Sequence, residues 1–168
     1  MRQHSSSAYD DDYKTCQKTY ATLCIYLDGS LDDPNAISEQ LGITPTHTQV
    51  RRPATLSKDN KPRRARPAAW FLETEDQVQS KDVRRHIDWL LNQLDGKSEA
   101  IQQLQAAGCE MTISCFWVSA LGHGGPMLSP EMMKRLADFG LGIDFDIYFD
   151  DETTQVSEAD SSNSGKAA

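Results

Sequence analysis

Several kinds of chemistry are excluded by what this sequence lacks. Its longest apolar-rich run, CFWVSALG from Cys115 to Gly122, is far too short to cross a bilayer, which takes roughly 20 apolar residues. The N-terminus carries one early arginine followed by Ser, Tyr and Asp, without the apolar centre of a secretory signal, so a soluble, cytoplasmic protein with no membrane association is expected. No G-x-x-x-x-G-K-[ST] occurs, and no G-x-G-x-x-G follows a strand pattern, which argues against the common nucleotide enzymes. The histidines form neither H-E-x-x-H nor H-x-x-x-H. The four cysteines, Cys16, Cys24, Cys109 and Cys115, contain no C-x-x-C, so reduced structural thiols are expected rather than a zinc site or a disulfide framework. Neither a metal nor a cofactor is expected.

What is present is an acidic chain of 168 residues with a formal net charge of −8. The charge is unevenly spread. Between Arg51 and Arg66 lie seven basic residues and one acid, which leaves 10 basic and 24 acidic residues for the rest of the chain. Residues 1–17 have no periodic apolar positions and residues 151–168 are Ser-rich and acidic, so both read as solvated, disordered tails. The remainder, 18–150, reads as a single domain able to bury roughly two thirds of its unfolded surface, with 51–67 as a basic loop insertion.

Within that domain the hydrophobic periodicity alternates between strand and helix. YATLCIYL, from Tyr20 to Leu27, is β-branched and aromatic with a period of two. Asp33 and Pro34 open a short helix that buries Ile37 and Leu41 and stops at Gly42. Thr46 to Arg51 reads as a weaker strand. Arg52 to Pro67, interrupted by prolines, reads as a loop, and Ala68 to Thr74 as a third strand. Ser80 and Asp82 open the longest helix, whose stripe is Val83, Ile87, Leu90, Leu91 and Leu94; Gly96 ends it. A further helix runs from Ser98 to Ala107, and Glu110 to Val118 forms a fourth strand. A helix opened by Ser129 and Pro130 is expected to bury Met133, Leu136 and Phe139, and Gly142 to Phe149 closes the chain as an alternating strand. The implied fold is α+β: a mostly antiparallel sheet of about five strands with helices on one face, in ferredoxin-like β-α-β-β-α-β order plus an extra α-β unit.

Several segments together, TLCIYLDG, LGITPTHTQ, the Trp70 strand AAWFLET, HIDWLLNQL and LSPEMMKRLADFGLGIDFDIYF, resemble the bacterial domain of unknown function 4279 family. The resemblance spans nearly all of Thr19 to Asp150. It implies a fold and a bacterial origin, and brings no catalytic residues with it.

Three groups of residues remain as candidates. If Leu23, Ile25, Ile143, Phe145 and Ile147 face the helices, a period of two puts Tyr20, Tyr26, Asp144, Asp146 and Tyr148 on the opposite face. Phe116 joins them, with Phe71 or Trp70 according to register. Aromatics on an open sheet recur in single-strand nucleic-acid binders, but carboxylates beside them repel phosphate. The face therefore reads as a surface for a protein, a cationic ligand or a homodimer, or as ordinary solvated sheet. The basic loop, with Arg51, Arg52, Arg63, Arg64 and Arg66, reads as a nucleic-acid contact, as a salt-sensitive flap over the acidic face, or as a mobile insertion. His86 and His123 are the only candidates for an enzyme; His86 borders the long helix's stripe, and His123 sits in Gly122-His123-Gly124-Gly125, which resembles an esterase oxyanion loop without any nucleophile elbow. A non-enzymatic protein-interaction module, for instance of inhibitor or immunity type, is the leading expectation, with an enzyme and a nucleic-acid contact as alternatives.

Overall fold

A twelve-residue strand makes the centre of this fold. Strand β1 (Cys16–Leu27) buries Ala21, Leu23, Ile25 and Leu27 on one face, and helices cover that face. The computed structural model describes residues 9–27, 31–57 and 62–149. The acidic C-terminal tail, the first eight residues and the centre of the basic loop lie outside the described residues. After β1 come α1 (Pro34–Leu41), β2 (His47–Gln49), β3 (Thr55–Leu56), β4 (Pro62–Arg63), β5 (Ala68–Glu73), α2 (Val83–Leu94), α3 (Ser98–Ala106), β6 (Glu110–Ser119), α4 (Pro130–Asp138) and β7 (Gly142–Phe149).

The main sheet has the order β2-β5-β1-β6-β7. Its first four strands are antiparallel neighbours throughout, which is the ferredoxin-like arrangement, and α4 carries the chain across so that β7 lies parallel to β6. The expected α+β class, the mostly antiparallel sheet and the appended α-β unit are all present. No helix among the described residues is long and apolar enough to cross a membrane.

The helices begin and end where their caps dictate. Asp33 accepts from the Asn35 amide at 2.9 Å and Pro34 fills the first helical position of α1, while Gly42, at φ 63°, closes it. In α2, Val83, Ile87, Leu90, Leu91 and Leu94 are all essentially inaccessible, an apolar stripe whose burial contributes about 1.5–3 kcal/mol per side chain as an upper bound.

Several expectations need correction. Strand β1 starts at Cys16, not Tyr20, because its pairing with β6 continues past an irregularity between Cys16 and Lys18. The cap of α2 is Asp82; Ser80 instead accepts from the Asp82 amide at 3.0 Å. In α4, Met132 is buried and Met133 is half exposed, because α4 turns its Met132–Leu136 row toward α2 and β7. The basic loop is a hairpin arm. Thr55 pairs with Arg63, Leu56 with Pro62, and Arg52 bridges to Arg66 through reciprocal backbone bonds of 2.9 and 2.8 Å. These pairs continue the β2–β5 register without a shift. Prolines at 53, 62 and 67 lack amide donors, so the ladder breaks into short pieces instead of one long strand.

Residues 9–15, expected to be solvated, are bound to the body. Tyr9 donates its hydroxyl to Asp88, and its ring lies 4.4 Å from the Arg85 guanidinium. The Asp10 amide donates to Asp82 at 2.9 Å, Asp11 accepts from Ser80 and Arg85, and Tyr13 packs edge-on against Trp117. Asp82 is the centre of this clamp. Its buried carboxylate accepts from the Asp10 and Arg84 amides and from the buried Arg84 guanidinium. Burial alone would raise its pKa, but these donors outweigh burial and hold it below the usual carboxylate range.

Replacing Asp82 by Ala removes a helix cap and one member of a buried ion pair together. The expected loss is about 3–5 kcal/mol of stability, read by urea denaturation; a loss under about 1 kcal/mol would show that the clamp is energetically idle.

Candidate functional site

Where β1 lies between β5 and β6 decides which side chains look outward. Tyr20 pairs with Phe116, Thr22 with Ser114, Cys24 with Thr112 and Tyr26 with Glu110 on one side; Cys24 pairs with Phe71 on the other. On β7, Asp144 and Asp146 lie beside Ser114 and Phe116, and Tyr148 beside Val118. Tyr20, Tyr26, Phe116, Asp144, Asp146 and Tyr148 thus share the face away from the helices. Register also decides between the two aromatic candidates on β5. Phe71 faces outward, while Trp70 is buried and its indole donates to Ser38 Oγ at 3.0 Å.

The outward aromatics form two separate clusters. Toward β7, Tyr20 stacks on Phe116 with centroids 4.7 Å apart, Phe116 meets Tyr148 at 5.2 Å, and Lys18 sits 5.7 Å above Tyr20. Toward β2, Tyr26 meets Phe71 edge-on at 5.9 Å and His47 stacks on Phe71 at 4.5 Å. His47 was missed from sequence, since only the pairing of β2 with β5 brings it to Phe71. Between the clusters runs a polar strip in which Asp144 accepts from Ser114 Oγ at 2.6 Å and Thr112 Oγ1 at 3.4 Å. Asp146 accepts from the Tyr148 hydroxyl at 3.0 Å, which raises that phenol's pKa. Cys24 lies in the middle of the face but is buried, and burial, aided by Asp144, pushes its thiol up to about 11, so it stays protonated.

The model of one protein family, described as domain of unknown function DUF4279, matches residues 17–150. The chain belongs to this family. No curated protein and no solved structure matches it. The matched range covers every strand and helix of the DUF4279 domain except the first residue of β1; the clamp residues Tyr9 to Thr15 precede it.

At the β2 end of the DUF4279 domain stands the hairpin arm. Arg51 pairs with Asp32 at 2.5 Å and donates to the Leu27 carbonyl at 3.1 Å. Arg52, Arg63, Arg64 and Arg66 are exposed and together line a cleft of about 420 Å³. Arg52 and Arg66 also border a neighbouring groove of about 570 Å³, whose other walls include Tyr26, Pro53, Pro67 and Glu110. Among the described residues, these four arginines make no ion pair with Asp144, Asp146 or Glu110.

The two histidines of the enzyme alternative are placed quite differently. His86 is fully buried, with Nε2 at 3.0 Å from the Ser80 carbonyl and Nδ1 at 2.7 Å from Thr74 Oγ1. The Ser80 carbonyl only accepts, so Nε2 carries a proton, while Nδ1 meets a Thr74 hydroxyl whose single proton also has the Ala21 carbonyl, at 3.0 Å, as an acceptor. Both ring nitrogens are therefore engaged, and burial lowers the ring's pKa. His86 holds α2 to the end of β5. His123 lies on an exposed turn, where its carbonyl accepts from Ser119 Oγ at 2.8 Å. The adjacent Gly124 has a packing reason. At φ 84° it passes so close to Thr15 that a Cβ would lie 2.9 Å from the threonine side chain. No group of three metal-ligating side chains is found among the described residues.

Two outcomes are expected. In a double-mutant cycle, Tyr20→Ala and Phe116→Ala should couple by about 0.5–1.5 kcal/mol in urea denaturation, while Tyr26→Ala and Phe116→Ala should be additive within about 0.5 kcal/mol. For His86, the unfolded chain takes up a proton below its ordinary pKa of 6.5 that the buried ring refuses. The ring's contribution is complete above that pH and is lost as the pH falls toward the depressed folded value. Thermal melts of the wild type should weaken across that window, and those of His86→Gln, which cannot titrate, should weaken less.

Proposed function

We propose that the domain is a protein-interaction module, with no chemistry of its own, that takes a basic segment of a partner on the β7 half of its outer sheet face. The observation that carries this reading is the pairing of an aromatic ladder, Tyr20–Phe116–Tyr148, with Asp144 and Asp146 on the strand that ends the sheet. Aromatic faces and carboxylates side by side are what a Lys or Arg side chain uses, the ring for its stem and the carboxylate for its head. As the sheet's edge, β7 also offers one row of main-chain donors and acceptors to an extended segment, so backbone pairing would supply affinity and the face would supply selectivity. The acidic body outside the arm, with 24 acidic against 10 basic residues, speeds encounter with a basic partner over long range.

An inhibitor or immunity-type role against a basic toxin or nuclease is one biological setting for such a module. A second copy of this chain is a less suited occupant, since the same acidic face would meet itself. The domain's expected setting is the cytoplasm.

Affinity capture from the source-cell lysate, using wild type and Asp144→Asn/Asp146→Asn as paired baits at low and moderate salt, tests the reading. The wild type should retain a basic protein in stoichiometric amount that elutes as salt rises and is lost from the double variant. Identical retention by both baits would overturn it, as would a wild-type lane containing bait alone.

A further inference from the structure

We propose that the hairpin arm is a second and separate site, which binds a small phosphate-bearing anion between Arg52, Arg63, Arg64 and Arg66. The other described arginines are all paired with carboxylates. Arg51 pairs with Asp32, Arg84 with Asp82, Arg85 with Asp11, and Arg135 with Asp88 and Asp95. The four that line the arm's cleft are the described arginines without an ion pair. This happens in a chain with 25 acidic and 17 basic residues, where carboxylates are in surplus.

The arm also brings like charges together. Arg52 and Arg66 are bridged directly opposite one another by two backbone bonds, Arg63 follows at the next pairing and Arg64 adjoins it. Like charges directly across a ladder repel, and no protein carboxylate among the described residues relieves them. An anion seated among them would. Guanidinium suits phosphate in particular, because its planar fork donates two parallel hydrogen bonds to a pair of phosphate oxygens.

Shape sets the size of the ligand. The cleft of about 420 Å³ lies within the range of small-molecule sites. Arg52 and Arg66 are shared with the neighbouring groove, where Tyr26, Pro53 and Pro67 offer an aromatic ring and apolar rings. A ligand with phosphate at one end and a planar or apolar portion at the other would use both. An extended nucleic acid fits less well. Leaving the arm across the sheet it would meet Glu110 at the groove's far wall and then Asp144 and Asp146, on a body that carries 24 acidic residues outside the arm. A small anion touches the arm alone.

The test uses the full chain at low salt, titrated by calorimetry with inorganic tripolyphosphate, ATP, adenosine and a single-stranded oligonucleotide. Expected are saturable one-to-one binding of tripolyphosphate and ATP, ATP the tighter, and no binding of adenosine. Arg52→Gln/Arg66→Gln and Arg63→Gln/Arg64→Gln should each weaken binding by at least ~tenfold, with unchanged circular dichroism and melting, since all four side chains are exposed. Asp144→Asn/Asp146→Asn should bind both anions as the wild type does, so this site and the proposed partner face fail or stand independently. Absence of saturable binding, or equal binding by the arginine variants, would overturn the proposal. So would an oligonucleotide that binds more tightly than ATP with a steep salt dependence, which would make the arm a nucleic-acid contact instead.

Discussion

Strand β1 is held on both edges, by β5 through six residue pairs and by β6 along nearly its whole length. Because side chains alternate, sliding either neighbour by one residue would turn Trp70 and Trp117 toward water and Phe71 and Phe116 into the core. The burial of those two tryptophans therefore fixes the register, and the register composes the outer face. The Tyr20–Phe116 stack, the placing of Asp144 beside Ser114, and the Tyr26–Phe71–His47 cluster are all by-products of a choice made on the opposite side of the sheet. The same ladder extends beyond the core as the arm, so even the spacing of Arg52 and Arg66 descends from the pairing of β2 with β5.

How much of this could be read from residues alone depends on the range of the interaction. The alternation of Ile143 and Phe145 with Asp144 and Asp146 is local, and so is the Asp33–Pro34 opening of α1; both were legible, whereas Ile147, expected to face the helices, is exposed. Whether Trp70 or Phe71 faces out is not local, since both orientations suit an isolated strand and only the partner strand decides. Met132 and Met133 are each at helical spacing from Leu136, and the choice between them is made by how α4 seats against α2 and β7. The arm was hidden by its own prolines, which erase the local strand pattern while distant pairing imposes the geometry. Residues 9–15 were hidden for another reason: they attach through hydrogen bonds, two ion pairs and single aromatic contacts, which leave no apolar period.

The outer surface is electrically divided. Acidic side chains accompany the aromatic cluster near β7, and arginines stand beyond the one near β2. Under the two proposals, such a division would let one face address two ligands of opposite charge without competition, at opposite ends of the same five strands. It also explains why net charge misleads here. The overall value of −8 averages a strongly acidic body with a strongly basic arm, and a ligand responds to whichever it meets.

The clamp formed by Tyr9, Asp10, Asp11 and Thr15 has a consequence for the order in which the molecule comes together. These residues leave the ribosome before any other described part of the chain. Their partners, Ser80, Asp82, Arg85 and Asp88 on and before α2 and Gly124 after β6, are made much later. The segment therefore waits, unattached, while α2 and then β6 are synthesised, and it docks only once loop closures spanning some seventy to a hundred residues have been made. Residues 9–15, made before their partners, thus lock only after β6 is in place, and they seal the buried carboxylate of Asp82 when they do.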